Sequence, residues 1–452
     1  MDNSNHEHKL RRTLGLFPVT SIVIANMIGA GIFTTSGLLM SGLHSPLLMI
    51  GLWIAGGVIA LCGALSYSEL GAAIPEAGGE YIFLSTLFHP ALGFLSGWVS
   101  FLVGFSAPIA ASAIGVSKYL ASAFPELFSW ETTLSLPGFI SAERILSILI
   151  ILVFTLVHLR GISFGSRIQN ILTVLKIVMI VCLVIFGFII GNGSVDHFKQ
   201  DNIIGFDFGG WKTIGLSLMW IMFAYSGWNA STYIGSEVRN PQRNLPASLL
   251  LGTGAVIILY ICINALYVYA IQPAEMEGVI SVGAKAAGEL FGETMEKTFS
   301  LLISFALFSS LSAYLIIGPR LYFSMARQGL FFKSLAKVNP VSHAPSNAIA
   351  LQAIFSLIMV VTGTFDQILT YMGFSLGIFP IISIAGVFKL RKAGKSNIHL
   401  PGFPLTALIY IITGTAILLL SYFERPVESS IALFTVLTGI PVYYYFKRKN
   451  SL

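Results

Sequence analysis

The chain has 452 residues, 55% of them hydrophobic and 10% charged, with a mean hydropathy of +0.82. Soluble domains carry about a quarter charged residues, so a water-soluble core is excluded, and the recurring apolar runs have the roughly 17 to 25 residues that cross a bilayer as a helix. The runs are continuous rather than alternating in segments of about 10 residues, which selects helices over a closed barrel.

In chain order, residues 1–13 form a polar tail with Lys9, Arg11 and Arg12. The long apolar run behind it lacks a small-residue cleavage site and is read as a retained first helix, not a signal peptide. Spans are predicted at 14–40, 46–74, 90–122, 143–160, 168–191, 213–235, 247–272, 296–325, 347–363, 366–388, 404–423 and 429–446. This gives an all-α polytopic membrane protein with about 12 transmembrane helices. Expected units are the tail 1–13, a first set of five helices over 14–191, a second set of five over 213–388, two C-terminal helices over 404–446 and a tail at 447–452. The mixed stretch 281–293 is too short and polar to span and is expected as a surface helix at the outer interface.

Lysine and arginine fall unevenly on the two sides, roughly 18 on the side of the N-terminus against 7 opposite. That bias places both termini in the cytoplasm. It also accounts for the formal net charge of +6 without a nucleic-acid partner. Cys62, Cys182 and Cys262 lie inside separate apolar runs and share no close spacing, so they read as packing residues rather than disulfides or a zinc site. No metal or cofactor is expected, and His6-Glu7-His8 in the polar tail has no supporting ligand cluster.

The first span contains Asn26-Met27-Ile28-Gly29-Ala30-Gly31-Ile32-Phe33, and the sixth contains Phe223-Ala224-Tyr225-Ser226-Gly227-Trp228-Asn229. One such small-residue cluster at mid-depth reads equally as close helix packing. Two, at corresponding places in two halves, are the sequence pointer to a secondary transporter whose first and sixth helices are broken. A half-helix that begins after a break offers free N–H groups and a positive dipole end to an anion, and one that ends before a break offers carbonyls to a cation. An α-amino acid zwitterion carries both groups.

Lys176 is the one basic residue well inside an apolar span, where it costs about 2.5 to 3.5 kcal/mol on insertion scales. It lies about two turns from the predicted end of its span, so a side chain snorkelling to the interface is the alternative to a buried functional ammonium.

These residues carry a family resemblance. In their order along nearly the whole chain, the two break segments, Pro75-Glu76-Ala77-Gly78-Gly79-Glu80-Tyr81, Glu237-Val238-Arg239-Asn240-Pro241-Gln242-Arg243-Asn244-Leu245-Pro246, and Gly318-Pro319-Arg320 leading to Ala326-Arg327-Gln328-Gly329 resemble the amino acid, polyamine and organocation transporters. The similarity is greatest to bacterial relatives of the L-type amino-acid transporters. It implies a five-plus-five inverted repeat and a multi-pass place in a bacterial inner membrane. It implies that amides around Gly29, Ala30 and Gly31 receive a substrate carboxylate, and carbonyls of Ile28, Phe223 and Ala224 its ammonium, with Ser226 and Gly227 beside them. Phe223 resembles an aromatic lid over the substrate. Lys176 resembles a lysine that stands where sodium-coupled relatives hold sodium, and implies sodium independence. Its expected partners are the Gly29 carbonyl and Ser309, Ser310 or Ser312, with Tyr267 close to the site. Gly235-Ser236-Glu237 departs from the family's acidic pair at the end of helix six, and puts an inner-gate role there in doubt.

With no acidic residue in either break, the expected substrates are neutral amino acids, small ones such as alanine, serine or threonine preferred. Exchange and proton symport both remain open, as does the oligomeric state. The rivals are a receptor or sensor that binds an amino acid without flux, a transporter of a cationic amino acid or amine, and a membrane-embedded enzyme. The enzyme would need a cluster of acids, histidines or a nucleophile that isolated residues such as His158 do not supply.

Overall fold

The computed structural model describes residues 12, 14–76, 78–128, 141–159, 163–199, 205, 207–337, 339, 345–396 and 398–450. The His6-Glu7-His8 stretch and Ala77 lie outside them. Among the described residues the elements are helices, with one isolated parallel bridge between Leu14 and Val238. The all-α polytopic class expected from composition is the one observed.

The first crossing is two helices, α1 (Leu16–Met27) and α2 (Ala30–Leu43). They are followed by α3 (Pro46–Ala73), a short α4 (Glu80–Leu87), and α5 (Pro90–Val99) joined to α6 (Ser106–Ala123) through one π-helical turn. Next come α7 (Ala142–Leu159), α8 (Ser163–Ile190) and α9 (Phe208–Ala224), the last succeeded after a break by a 3₁₀ segment, Ala230–Glu237. The chain continues through α10 (Pro241–Ala270), α11 (Val282–Phe291), α12 (Glu293–Arg327), α13 (Ser346–Thr362), α14 (Phe365–Lys392), α15 (Leu405–Glu424) and α16 (Pro426–Asn450). Among the described residues, ten helical runs are long and apolar enough to cross a membrane. The other two predicted spans fall on α9 and α13, each of 17 residues, or about 25 Å at 1.5 Å per residue.

Helix starts follow local chemistry. Ser45 accepts the Leu48 N–H at 3.1 Å and Asp207 accepts the Gly210 N–H at 2.8 Å, satisfying amides that the first turn leaves unpaired. Thr364 and Gln367 form a reciprocal capping box at α14. Inside the bundle α3 packs along α10, α6 along α12, and α1 against α10. The lipid-facing side is written in α7, where exposed Leu149, Leu152, Val153, Leu156 and Val157 recur at helical spacing. Apolar side chains exposed in this way are stable against hydrocarbon.

Two expectations gain detail. The 281–293 stretch forms a short helix that packs one face inward: Val282, Ala284, Ala286, Ala287 and Leu290 of α11 are buried against α12, α10 and α2, and the Gly283 N–H donates to the Tyr119 hydroxyl at 3.2 Å. Its polar residues mask an alanine-rich face that packs inward. The helix of Lys176 begins at Ser163, not 168, so Lys176 is roughly midway along a 28-residue helix.

Candidate functional site

Both broken segments end one helix and turn the backbone at mid-span. After α1, Ile28 (φ −74°, ψ 88°) and Gly29 (φ −125°, ψ −154°) leave the helix before α2 resumes at Ala30. After α9, Gly227 takes φ +98°, which favours glycine. The two breaks touch backbone to backbone. A Cβ on Gly31 would stand 2.5 Å from Ala224 Cα, and one on Gly227 would stand 2.8 Å from the Asn26 carbonyl carbon. Any side chain at either position drives the breaks apart.

A small cavity of about 10 Å³, the room of about one water, lies where they meet and is lined by Met27, Gly29, Ala30, Gly31, Pro108, Ser112, Phe223, Ala224, Ser226 and Tyr314. This conformation is closed down around the site, and Phe223 is buried over it at 8% exposure. Unlike α3 and α9, α2 has no side-chain cap: its N-cap is Gly29, so its first amides and its positive dipole end reach the cavity uncovered. Among the described residues the lining holds no Asp, Glu, Lys, Arg or His.

The carbonyls freed at the end of α1 are held by protein donors. The Lys176 Nζ donates to the Ile28 carbonyl at 2.6 Å, to the Ala25 carbonyl at 3.2 Å and to Ser310 Oγ at 3.3 Å. Ser310 Oγ in turn donates to the Ile28 carbonyl at 3.3 Å. Lys176 is 1% exposed, on an inward stripe with Thr173, Met179, Ile180 and Leu183, while Val174, Leu175 and Val178 face outward. The snorkelling alternative is thereby excluded: the Lys176 side chain ties α8 to α1 and α12.

The Gly29 carbonyl is not among the partners of Lys176, because the acceptors released by a helix end are those of its last turn, and α1 ends at Met27. Ile28, expected to offer its carbonyl to a substrate ammonium, offers it to Lys176. The Phe223 carbonyl accepts the Ser226 N–H at 2.9 Å and the Ala224 carbonyl accepts the Tyr260 hydroxyl at 3.1 Å, each keeping a second lone pair. Ser312 is not a partner of Lys176 but lies 3.1 Å from His158 Nε2. Ser309 is buried on the same helix.

Tyr267 is also displaced from its expected place. Its hydroxyl is buried without a hydrogen-bond partner, whereas Tyr260, two turns earlier on α10, reaches the Met27 carbonyl at 2.6 Å and the Ala224 carbonyl at 3.1 Å. Tyr260 therefore bridges the two breaks, a role the sequence reading missed. Trp228 turns away from the cavity and packs edge-on against Tyr67, ring centroids 4.8 Å apart. Pro108, Ser112 and Tyr314, from α6 and α12, complete the lining and were also missed; the i, i+4 spacing of Pro108 and Ser112 on one helix face was the available signal.

On the side where both termini are expected, the Leu14 N–H donates to the Glu237 carbonyl at 3.0 Å and the Arg239 N–H to the Leu14 carbonyl at 2.8 Å, pairing the N-terminal segment with the end of the 3₁₀ segment. Arg391 forms a bidentate pair with Glu69, at 2.7 and 2.6 Å, and lies over the Phe403 ring at 3.9 Å. On that face the first contacts fasten the N-terminal segment to the second broken helix, and the Arg391–Glu69 pair fastens α14 to α3.

A polytopic helical bundle with two broken helices meeting at a central, uncharged cavity is the arrangement of a membrane permease. The amino acid permease family profile matches residues 14–443, and the chain belongs to that family, one of permeases and not of enzymes. It is 27% identical over 454 residues to the serine/threonine exchanger SteT of Bacillus subtilis (strain 168), covering 98% of this chain and 99% of that protein. It is 29% identical over 445 residues to the human large neutral amino acids transporter small subunit 2, covering 96% and 80%. The Asc-type amino acid transporter 1 of Mus musculus is 27% identical over 448 residues, covering 96% and 81%.

Proposed function

We propose that the protein carries neutral, preferably small, amino acids across a bacterial inner membrane without sodium, by exchange or proton symport, with both termini in the cytoplasm. The reading rests on one observation: the uncapped N-terminal end of α2 and the residues Phe223 and Ala224 at the end of α9 line one uncharged cavity. An α-carboxylate meets the amides of Gly29, Ala30 and Gly31, and the ammonium meets the two carbonyls on the other side. Ser112 and Ser226 stand where a short side chain lies, and Phe223 closes over it. Sodium independence is supported by the Lys176 ammonium, which occupies the carbonyls of α1 and the Ser310 hydroxyl that a bound cation needs. The names of the relatives, an exchanger and two amino-acid transporters, support the amino-acid transport part of this reading.

The test is competition against labelled alanine uptake into proteoliposomes by a panel of amino acids. Serine, threonine and unlabelled alanine compete; stronger competition by lysine or arginine than by alanine overturns the neutral assignment. Binding without flux supports a receptor instead.

A further inference from the structure

Glu80 is the first residue of α4, a short helix outside the crossing segments that packs on α5 and α14. Its side chain also reaches across to two other elements. The Tyr67 hydroxyl of α3 donates to Glu80 Oε1 at 3.0 Å, and Asn229 Nδ2, two residues past the Gly227 break, donates to the same oxygen at 2.8 Å. Glu80 is 4% exposed. The groups facing it are neutral: Tyr67 from α3, Asn229 and Tyr233 from the segment after the break, Ser96 from α5 and Tyr410 from α15. Among the described residues it forms no ion pair. Glu69, on the same face, shows the contrast, since its carboxylate is neutralised by Arg391.

A buried carboxylate held only by neutral donors is a group whose charge is set by proton binding. We propose that Glu80 is a proton-binding latch: ionised, it grips Asn229 and holds the half of the second broken helix that follows Gly227 against α3 and α4; protonated, it loosens that grip. The step takes one proton from water onto the carboxylate and changes no other bond. An ionised acceptor makes the stronger hydrogen bonds, so the latch is tighter at high pH. Burial pushes the Glu80 carboxyl up to about 7, against the opposing pull of Tyr67, Asn229 and Ser96, which sets its switching in the neutral range. This inference concerns regulation of the site and rests on the transport reading above.

The experiment is alanine exchange in proteoliposomes with the same pH on both sides, from pH 6 to pH 8, for wild type and Glu80→Gln. If opening follows the protonated fraction of a group titrating near 7, wild-type exchange falls about tenfold across that range. Glu80→Gln gives a flat profile and exchanges faster than wild type at pH 8. A wild-type profile that is flat while exchange proceeds overturns the latch. So does a pH response that persists in Glu80→Gln, which moves the proton to another group such as Lys176. Tyr67→Phe removes one donor to the anion and shifts the midpoint to higher pH; an unchanged midpoint counts against the proposal even where Glu80→Gln does not fold. No exchange of any neutral amino acid by wild type at any pH refutes the transport reading instead.

Discussion

Lys176→Met removes the ammonium while keeping the length and apolar stem of the side chain. The structure sets the scale of the loss. Nζ makes a short bond of 2.6 Å to the Ile28 carbonyl and longer ones of 3.2 and 3.3 Å to Ala25 and Ser310. A hydrogen bond from a charged donor contributes about 1.5 to 3 kcal/mol, so the short bond alone ties the break by about 2 kcal/mol. Insertion is not harmed, because burying a lysine at mid-span itself costs about 2.5 to 3.5 kcal/mol. The loss falls instead on the shape of the break: 2 kcal/mol lowers the substrate-competent fraction roughly 30-fold. The assay is initial-rate exchange of labelled alanine in proteoliposomes at equal protein density, with KM rising by about that factor. Ser310→Ala loses a neutral partner at 3.3 Å and, at about 0.5 to 1.5 kcal/mol, stays within about tenfold of wild type. A Lys176→Met protein with wild-type KM and maximal rate would refute the argument that the ammonium shapes the site.

Gly31→Ala places a methyl 2.5 Å from Ala224 Cα, an overlap in the class that costs about 1 to 3 kcal/mol; exchange drops at least roughly fivefold at normal expression, and near-wild-type exchange contradicts the contact between the breaks. Tyr260→Phe frees the Met27 and Ala224 carbonyls, costs about 0.5 to 1.5 kcal/mol and lowers exchange, whereas Tyr267→Phe removes a hydroxyl that has no partner and leaves the thermal midpoint unchanged or raised. The reverse order would return the bridging role to Tyr267. Because the folded-state pKa of Glu80 is raised from 4.5 to about 7, the fold holds that proton more tightly than the unfolded chain does. The Glu80 contribution to stability therefore declines as pH rises from about 4.5 to about 7. Detergent melting curves of Glu80→Gln lack that decline, and identical pH slopes in both proteins contradict it.

The helical membrane class was legible because hydropathy sums over whole spans and tolerates errors of several residues at each end. Both breaks were legible because glycine clusters at mid-depth are costly without a reason. What the sequence left open was register. Tyr260 and Tyr267 are seven residues apart, two turns along one face of α10, so periodicity presents both to the bundle and only packing decides which hydroxyl meets the breaks. The partner of Lys176 moved from Gly29 to Ile28 and Ala25 because it depends on where α1 stops to within one residue. Glu80 was visible only as part of a motif, since its partners Tyr67 and Asn229 come from separate helices. The cavity-lining Pro108, Ser112 and Tyr314 were hidden for the same reason, among many small or aromatic residues of similar pattern.

The central claim is that two backbone breaks, tied by Lys176 rather than by sodium, form a site for a neutral amino acid that moves across the membrane. Counterflow of labelled alanine into alanine-loaded proteoliposomes, in buffer with all sodium replaced by choline, tests it most directly. The account predicts accumulation of label at a rate unchanged when sodium is restored. Counterflow that appears only with sodium, or none in either buffer while alanine still binds, would contradict it.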